Sequence, residues 1–333
     1  MQNDLFINSA QKIETDLRPF RWRATRIGQE ANRLVTSPSF GGTILAVFSK
    51  NIYLSGRDGE ILWIAKVDLP MHRRCITAPF QLHPLRPGQG FWISGSSLQI
   101  GEAMAIDLDR GEQWRPFIIG PGQADPVFMV NERVNWLFSI LPRPHPEAGL
   151  GQAIPMISAI VKGKDLRTVL SDSLFNRAIG PIHAIANACL REDIVQAAKM
   201  GRELIGLGPG LTPSGDDFLG GLFFALHFLK RVFPKEFFWD EQPILDLIDW
   251  SFSRTHPISH AILSDLSSGH GPEPLCDILN FLLSGGDRDE MLLNIDRFCR
   301  IGHTSGWDIL AGLLTGILLL TGKVKRFREE AGD

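Results

Sequence analysis

Ser214-Gly215-Asp216-Asp217-Phe218-Leu219-Gly220-Gly221-Leu222 and Ser305-Gly306-Trp307-Asp308-Ile309-Leu310-Ala311-Gly312-Leu313 spell one pattern twice, S-G-x-D-φ-L-[GA]-G-L with φ apolar. In each copy an Asp stands three residues after a Ser, and a Gly follows that Asp by four, so Asp and Gly share one face of a helix. A glycine there lets another backbone come close. The spacing therefore predicts two helices side by side, with both N-termini, Asp217 and Asp308 meeting at one site. The competing explanation is a helical hairpin duplicated for structural reasons alone.

Immediately upstream the chain reads G-L-G-P-G-L-T-P-S-G-D-D from Gly206 to Asp217. Alternate glycines permit backbone angles that side chains forbid, Thr212 or Ser214 is placed to cap the helix, and Asp217 completes an S-x-x-D capping box. A helix start of this kind offers unpaired N–H groups and a positive dipole end to a phosphate or carboxylate. The candidate anion-binding residues are Gly208, Gly210, Thr212, Ser214 and Gly215, with Ser305 and Gly306 as their counterparts in the second copy. It is not a P-loop: no G-K-[ST] follows, and no lysine occurs between Lys199 and Lys230. Acidic residues beside an anion call for a positive partner, so Asp216, Asp217 and Asp308 are candidate ligands of a magnesium ion. Adjacent helical residues diverge by about 100°, which favours Asp217 over Asp216.

A second polar cluster, Ser253-Arg254-Thr255-His256-Pro257-Ile258-Ser259-His260, follows an apolar helical run. Arg254 has the planar fork that suits carboxylate or phosphate, and Thr255 and Ser259 add hydroxyl donors. The alternative is a solvated helix end with Arg254 answering the dipole. His303, just before the second copy, is a candidate proton acceptor or a local hydrogen-bonding residue.

Outside these motifs the chain divides by periodicity. Short apolar runs broken by turn residues fill Leu34 to Trp114, with Gly56-Arg57-Asp58-Gly59 as a hairpin turn. Asp125-Pro126 reads as an N-cap and first-turn proline for a helix ending near Leu141. Helix-period runs dominate after Ile154: Leu166–Ala178, His183–Leu190, Glu192–Ile205, Phe218–Arg231, Ile244–Phe252, Leu275–Leu283 and Ile309–Leu320. The expected fold is α+β: a β-rich domain, barrel or sandwich, over 1–141, a linker over 142–153 and a helical domain over 154–325.

A net charge of −3 leaves no basic face for nucleic acid or an anionic membrane, which points to a small molecule or another protein as partner. The four cysteines show no zinc-type spacing and read as free thiols. Met1 to Ile13 lacks the apolar run of a signal peptide, and Ile309–Thr321 is too short for a bilayer that needs about 20 residues. The expected location is the cytoplasm.

G-L-G-P-G-L-T-P-S-G-D-D-F-L-G-G, R-T-H-P-I-S and G-H-T-S-G-W-D-I-L-A-G, in this order, resemble the AllH family of oxamate carbamoyltransferase subunits. His256 stands where that family often has a second threonine. The resemblance implies a subunit that works with an FdrA-like and a second partner subunit in allantoin breakdown. The implied reaction interconverts oxalurate plus phosphate with oxamate plus carbamoyl phosphate. In such chemistry two helix starts and Arg254 would bind the anionic groups, and Asp217 or His303 would take the proton. A non-catalytic small-anion-binding assembly subunit is the alternative. A stand-alone metal-dependent hydrolase or ligase acting on a carboxylate or amide is the third reading.

Overall fold

The structure, a computed structural model, describes residues 19–81, 85–141, 149–161 and 173–331. Ten strands come first: β1 (Phe20–Arg23), β2 (Arg26–Gly28), β3 (Gly41–Val47), β4 (Asn51–Gly56), β5 (Ile61–Ala65), β6 (Cys75–Thr77), β7 (Gly90–Ser94), β8 (Ser97–Ile100), β9 (Met104–Asp107) and β10 (Glu112–Trp114). One short helix, α1 (Gln29–Val35), lies among them. They form a single sheet of order β1-β9-β8-β7-β3-β4-β5-β6-β2-β10. β1 and β2 belong to opposite flanks, yet only Ala24 and Thr25 separate them in the chain. The two flanks must therefore meet, and the sheet curls on itself like a barrel instead of splitting into two stacked layers.

Alternation along the strands explains where this sheet is covered. In β4, Ile52 and Leu54 point into the curl, where they join Leu62, Ile64, Ile76, Phe91, Leu98 and Ile106. Tyr53, Ile61, Trp63, Ala65 and Cys75 face outward instead and belong to a second cluster that includes Ile258, Ala261 and Leu211. Both faces of β5 are thus buried, which accounts for its unbroken apolar sequence I-L-W-I-A. The Gly56–Gly59 turn closes the β4–β5 hairpin as expected, with Gly59 at φ 85°.

The helical part comprises α2 (Val127–Ile140), a 3-10 turn (Gly149–Ala153), α3 (Ile154–Val161), α4 (Ser173–Leu190), α5 (Ile194–Gly201), α6 (Ser214–Val232) and α7 (Gln242–Ser251). It continues with α8 (Pro257–Ser267), α9 (Glu273–Ser284), α10 (Arg288–Cys299), α11 (Ser305–Gly316) and α12 (Leu318–Ala331). Sequence periodicity found most of these, missed α3, α8 and α10, and caught only the first residues of α12. The runs expected at Leu166–Ala178 and His183–Leu190 meet in α4, which holds Pro181, although 162–172 lie outside the described residues. The N-terminal stretch to Ile13 and residues 142–148 of the expected linker lie outside them too. The remainder of that linker, Gly149–Ala153, is not a connector but a 3-10 turn with Gly149, Leu150, Gly151 and Ala153 buried.

Asp125 does not cap α2. The N-cap is Pro126, while the Asp125 carboxylate pairs with Arg133 and its N–H donates to the Leu283 carbonyl. All four cysteines are free. Ser305–Ala331, α11 and α12 together, passes the length and composition test for a membrane span among the described residues, but 78% of its apolar window is buried inside the molecule.

Ion pairs lock the sheet to the helices. Arg74 grips Asp265 of α8 through two hydrogen bonds of 2.6 and 2.8 Å. Arg26 reaches Glu273 of α9 at 2.6 Å, and Glu273 also exchanges backbone and side-chain bonds with Met71.

Candidate functional site

The duplication extends beyond the nine-residue pattern. Asp193 caps α5 by accepting from Gln196 N–H at 2.9 Å, and Asp287 caps α10 by accepting from Asp289 and Glu290 N–H at 2.9 Å. The chain then turns through Leu207-Gly208 in the first copy and Ile301-Gly302 in the second, with φ of 126° at Gly208 and 63° at Gly302. Gly215 donates its N–H to the Leu207 carbonyl at 2.8 Å, and Gly306 donates to the Ile301 carbonyl at 3.1 Å. The copies differ by three residues, since Pro209, Gly210 and Leu211 have no counterpart between Gly302 and Ser305.

The two helices they launch pack as the pattern demands. A Cβ placed on Gly221 would lie 1.9 Å from the Ile309 carbonyl oxygen, and one on Gly312 would lie 1.8 Å from that of Phe218. Ile309 and Phe218 are themselves equivalent positions, so the contact is reciprocal. Only glycine fits at either place.

This packing brings Asp217 and Asp308 together. Ser305 of α11 flanks Asp217 of α6 and Ser214 of α6 flanks Asp308 of α11, each hydroxyl favouring the charged form of the acid on the other helix. Hydroxyl pairs link the two starts: Thr212 meets Ser305 at 3.0 Å and Ser214 meets Thr304 at 3.5 Å. Gly151 N–H donates to Asp308 Oδ1 at 3.1 Å. Gly149, at φ 54°, lies so close that its missing Cβ would sit 2.7 Å from that same oxygen. Asp217 and Asp308 are only 3% and 0% exposed, and the Oδ2 atom of each has no hydrogen-bond partner.

Burial acts on these acids against every donor that surrounds them. It pushes Asp308 up to about 7, and burial followed by the neighbouring Asp308 charge holds Asp217 well above the ordinary carboxylate range. A raised acid binds its proton more tightly in the folded state than in the unfolded chain, so its contribution lowers stability as pH rises between its unfolded and folded values. For Asp308 that window runs from 3.8 to about 7. We expect Asp308→Asn to flatten the fall of melting temperature across this window; an unchanged slope would show that Asp308 titrates as an ordinary surface acid.

The other residues singled out in the sequence fall into three places. Asp216 turns away from the pair and accepts from Gly206 N–H at 2.7 Å, Ser259 hydroxyl at 2.6 Å and Thr255 hydroxyl. Its three donors leave burial as the larger influence, which raises its carboxyl. Asp216, Thr255 and Ser259 thus form a separate corner that ties the glycine loop to α8. Arg254 is exposed and folds back on its own helix, 4.1 Å over the Trp250 ring and bonded to the Trp250 carbonyl and the Ser253 hydroxyl. The structure does not bring it to the acid pair; its carbonyl lies at the Asp216 corner, 2.6 Å from where a Gly206 Cβ would be. His303 lies exposed in the turn before α11, and Gly210 lies exposed in the loop at φ 92°.

Three expectations are corrected here. No side chain caps α6 or α11: the N-caps are Pro213 and Thr304, and Ser214 and Ser305 are already helical residues. Asp217 therefore completes no capping box. The anion site loses donors as well, since the N–H groups of Gly215, Asp216, Asp217, Gly306 and Asp308 all bond to nearby carbonyls. The expected trio of metal ligands does not converge either, because Asp216 faces its own corner. Among the described residues no three His, Cys, Asp or Glu side chains are grouped to hold an ion.

One contributor had no marker in the sequence beyond its place on the outer face of a strand. Tyr53 of β4, the only tyrosine in the chain, is pushed up to about 12 by burial and then by the Cys75 and Asp217 charges near it. Asn51 Nδ2 donates to its oxygen at 3.4 Å. The curled sheet thus reaches the place where the two helices start.

A groove of about 760 Å³ lies elsewhere, between the start of α2 and the end of α12. Its lining includes Phe128, Phe233, Val324 and Phe327, and it does not reach the two helix starts. No solved structure matches the chain. Residues 204–317, the stretch that holds both helix starts and the Asp216 corner, match the model of the family described as oxamate carbamoyltransferase subunit AllH.

Proposed function

We propose that this chain is a cytoplasmic subunit of an oxamate carbamoyltransferase-like enzyme, working with an FdrA-like and a further partner subunit, and that the Asp217–Asp308 pair is its reacting site. The observation that carries this reading is the pair of buried acids at the two helix starts, each with one carboxyl oxygen left without a partner, inside the stretch that matches the family. In phosphorolysis a phosphate oxygen attacks the ureido carbon of oxalurate and the bond from that carbon to the oxamate nitrogen breaks. The departing nitrogen needs a proton. An acid whose carboxyl is raised by burial is suited to supply it, and Asp217, further raised by the neighbouring Asp308, is the candidate. In the reverse direction the same carboxylate takes the proton from the oxamate amide. On this reading a β-rich domain over 1–141 and a helical domain over 154–325 both serve the site, the former through Tyr53.

Asp217→Asn is expected to lower oxalurate phosphorolysis by the assembled enzyme roughly 10²-fold, the scale of a lost acid–base group, with little change in melting. Turnover near the wild-type rate would remove Asp217 from the chemistry. It would also favour the second reading, a non-catalytic assembly subunit, which draws support from the near-complete burial of both acids.

A further inference from the structure

We infer that Arg202, Trp250 and Arg254 form the docking surface for an acidic segment of a partner subunit, which seats that subunit against the exposed glycine loop before α6. This rests on the reading that the chain works in a multisubunit enzyme, and it names the face through which the assembly forms.

Two helices end at this surface. Arg202 is the C-cap of α5, and Arg254 follows Phe252, the C-cap of α7, by two residues. The helices touch beside Arg202, where a Cβ on Gly201 would lie 2.9 Å from Leu247 Cδ2. Both guanidinium groups then turn to one ring, Arg254 Cζ at 4.1 Å and Arg202 Cζ at 5.7 Å from the centre of Trp250. Two like charges thus share one aromatic side chain. The dipole of α7 explains part of this, since Arg254 Nη1 donates to the Trp250 carbonyl at 3.0 Å and to the Ser253 hydroxyl at 3.2 Å. It leaves the other donors unexplained. Among the described residues Arg254 Nε and Nη2 and the whole Arg202 guanidinium meet no protein acceptor. Neither arginine forms a salt bridge among those residues, although Glu203 and Asp249 stand exposed beside Arg202 and Trp250 in the chain. The edge left over on Arg254, Nε with Nη2, is the side-on fork that takes a carboxylate through two parallel bonds.

The setting favours a protein carboxylate over a small ion. Arg202 and Arg254 lie on open surface, and Phe252 between them and α8 is 72% exposed, resting edge-on against His260 at 5.2 Å. Salt screens a small anion on such a surface and leaves it weakly held. Arginine and tryptophan beside an exposed aromatic are the residue types that concentrate binding energy once a partner excludes water from them. Place also gives the docking a purpose. The Arg254 carbonyl lies 2.6 Å from where a Gly206 Cβ would be, and Gly206, Pro209 and Gly210 are all exposed. A subunit seated on the two arginines covers this loop, which leads directly into Ser214 and the start of α6.

The test is the affinity of the full chain for its partner subunits, measured by interferometry at low and high salt. Arg202→Glu with Arg254→Glu is expected to weaken association at least about 10²-fold, and wild-type association should itself fall as salt rises. Arg254→Lys keeps the charge and loses the fork, so it should cost about tenfold with no change in melting temperature. Arg57→Glu with Arg110→Glu makes the same change of net charge in exposed turns of the sheet and should stay within about twofold of the wild type. Calorimetry of the chain alone with inorganic phosphate is run beside these. Undiminished association of the Arg202→Glu, Arg254→Glu chain overturns the inference and leaves the multisubunit reading standing. An equal loss in the Arg57→Glu, Arg110→Glu chain overturns it too, since net charge alone would then be responsible. Phosphate binding that the Arg202→Glu, Arg254→Glu chain loses while its association stays intact assigns the arginines to a small anion instead. A wild-type chain that binds no partner subunit at either salt sinks the multisubunit reading and this inference with it.

Discussion

Gly312→Ala should cost the protein several kcal/mol, a large part of the roughly 5–15 kcal/mol that holds a domain folded. The sign is informative because helix propensity runs the other way: in an exposed helix the same change gains about 1 kcal/mol. Here the new methyl would meet the Phe218 carbonyl oxygen at 1.8 Å and the Leu222 nitrogen at 2.8 Å, both backbone atoms that no rotamer change can move aside. The helices must separate, and the reciprocal contact at Gly221 opens with them. Urea unfolding measures the effect. Gly210→Ala is a useful contrast, since nothing lies within 4 Å of its would-be Cβ and its penalty comes only from φ 92°. If Gly312→Ala were as stable as the wild type, the close packing of α6 on α11 would be wrong.

Arg74→Met should destabilise by about 3–5 kcal/mol, the usual cost of leaving a buried charge without its partner. Asp265 is 3% exposed, and Arg74 supplies both of its short bonds. The neighbours cannot take over. Arg73 stands 3.6 Å away and is shared with Glu30, and burial pulls His72 down to about 4, so its ring is neutral at pH 7. Replacing both partners, Arg74→Met with Asp265→Leu, should recover most of the loss, because the desolvation cost goes with the charges. The measurement is again equilibrium unfolding. A loss under about 1 kcal/mol for Arg74→Met would mean that water reaches Asp265 and that the pair behaves as a surface one.

Much of this molecule is readable from local pattern, and the failures share a cause. The duplicated helix starts disclose their own packing because Ser, Asp and Gly recur at helical spacing and each residue's task depends on its face. The caps do not, because a cap is inferred from local geometry, whereas Ser214 and Ser305 meet threonine hydroxyls across the helix pair. Asp125 is similar: Arg133, one helix face away, takes the carboxylate that would have capped α2. β1, β2 and β10 are three or four residues long, too short for alternation to register. α8 starts at Pro257 behind a histidine N-cap, His256, whose ring accepts from Ile258 N–H at 3.2 Å, and histidine is an unusual residue in that role. Arg254 looked like an anion fork, and the Trp250 ring that holds it out of the site sits four residues earlier in the same segment. Tyr53 could be placed on a face by alternation, but only the docking of the sheet gives that face a meaning.

The three residues by which the first loop exceeds the second bear on how a ligand is oriented. Two identical helix starts would make a cradle with a twofold axis, in which an unsymmetrical molecule has two degenerate poses and spends half its time in the wrong one. Pro209, Gly210 and Leu211 remove that degeneracy. Leu211 packs into the apolar layer with Trp63, Tyr53 and Ile258, so one half of the cradle faces the sheet and the other faces the Gly149–Ala153 turn. The two acids, alike in sequence, thereby acquire different neighbours, a phenol for Asp217 and a main-chain amide for Asp308. An insertion of three residues is thus what gives the duplicated site a front and a back.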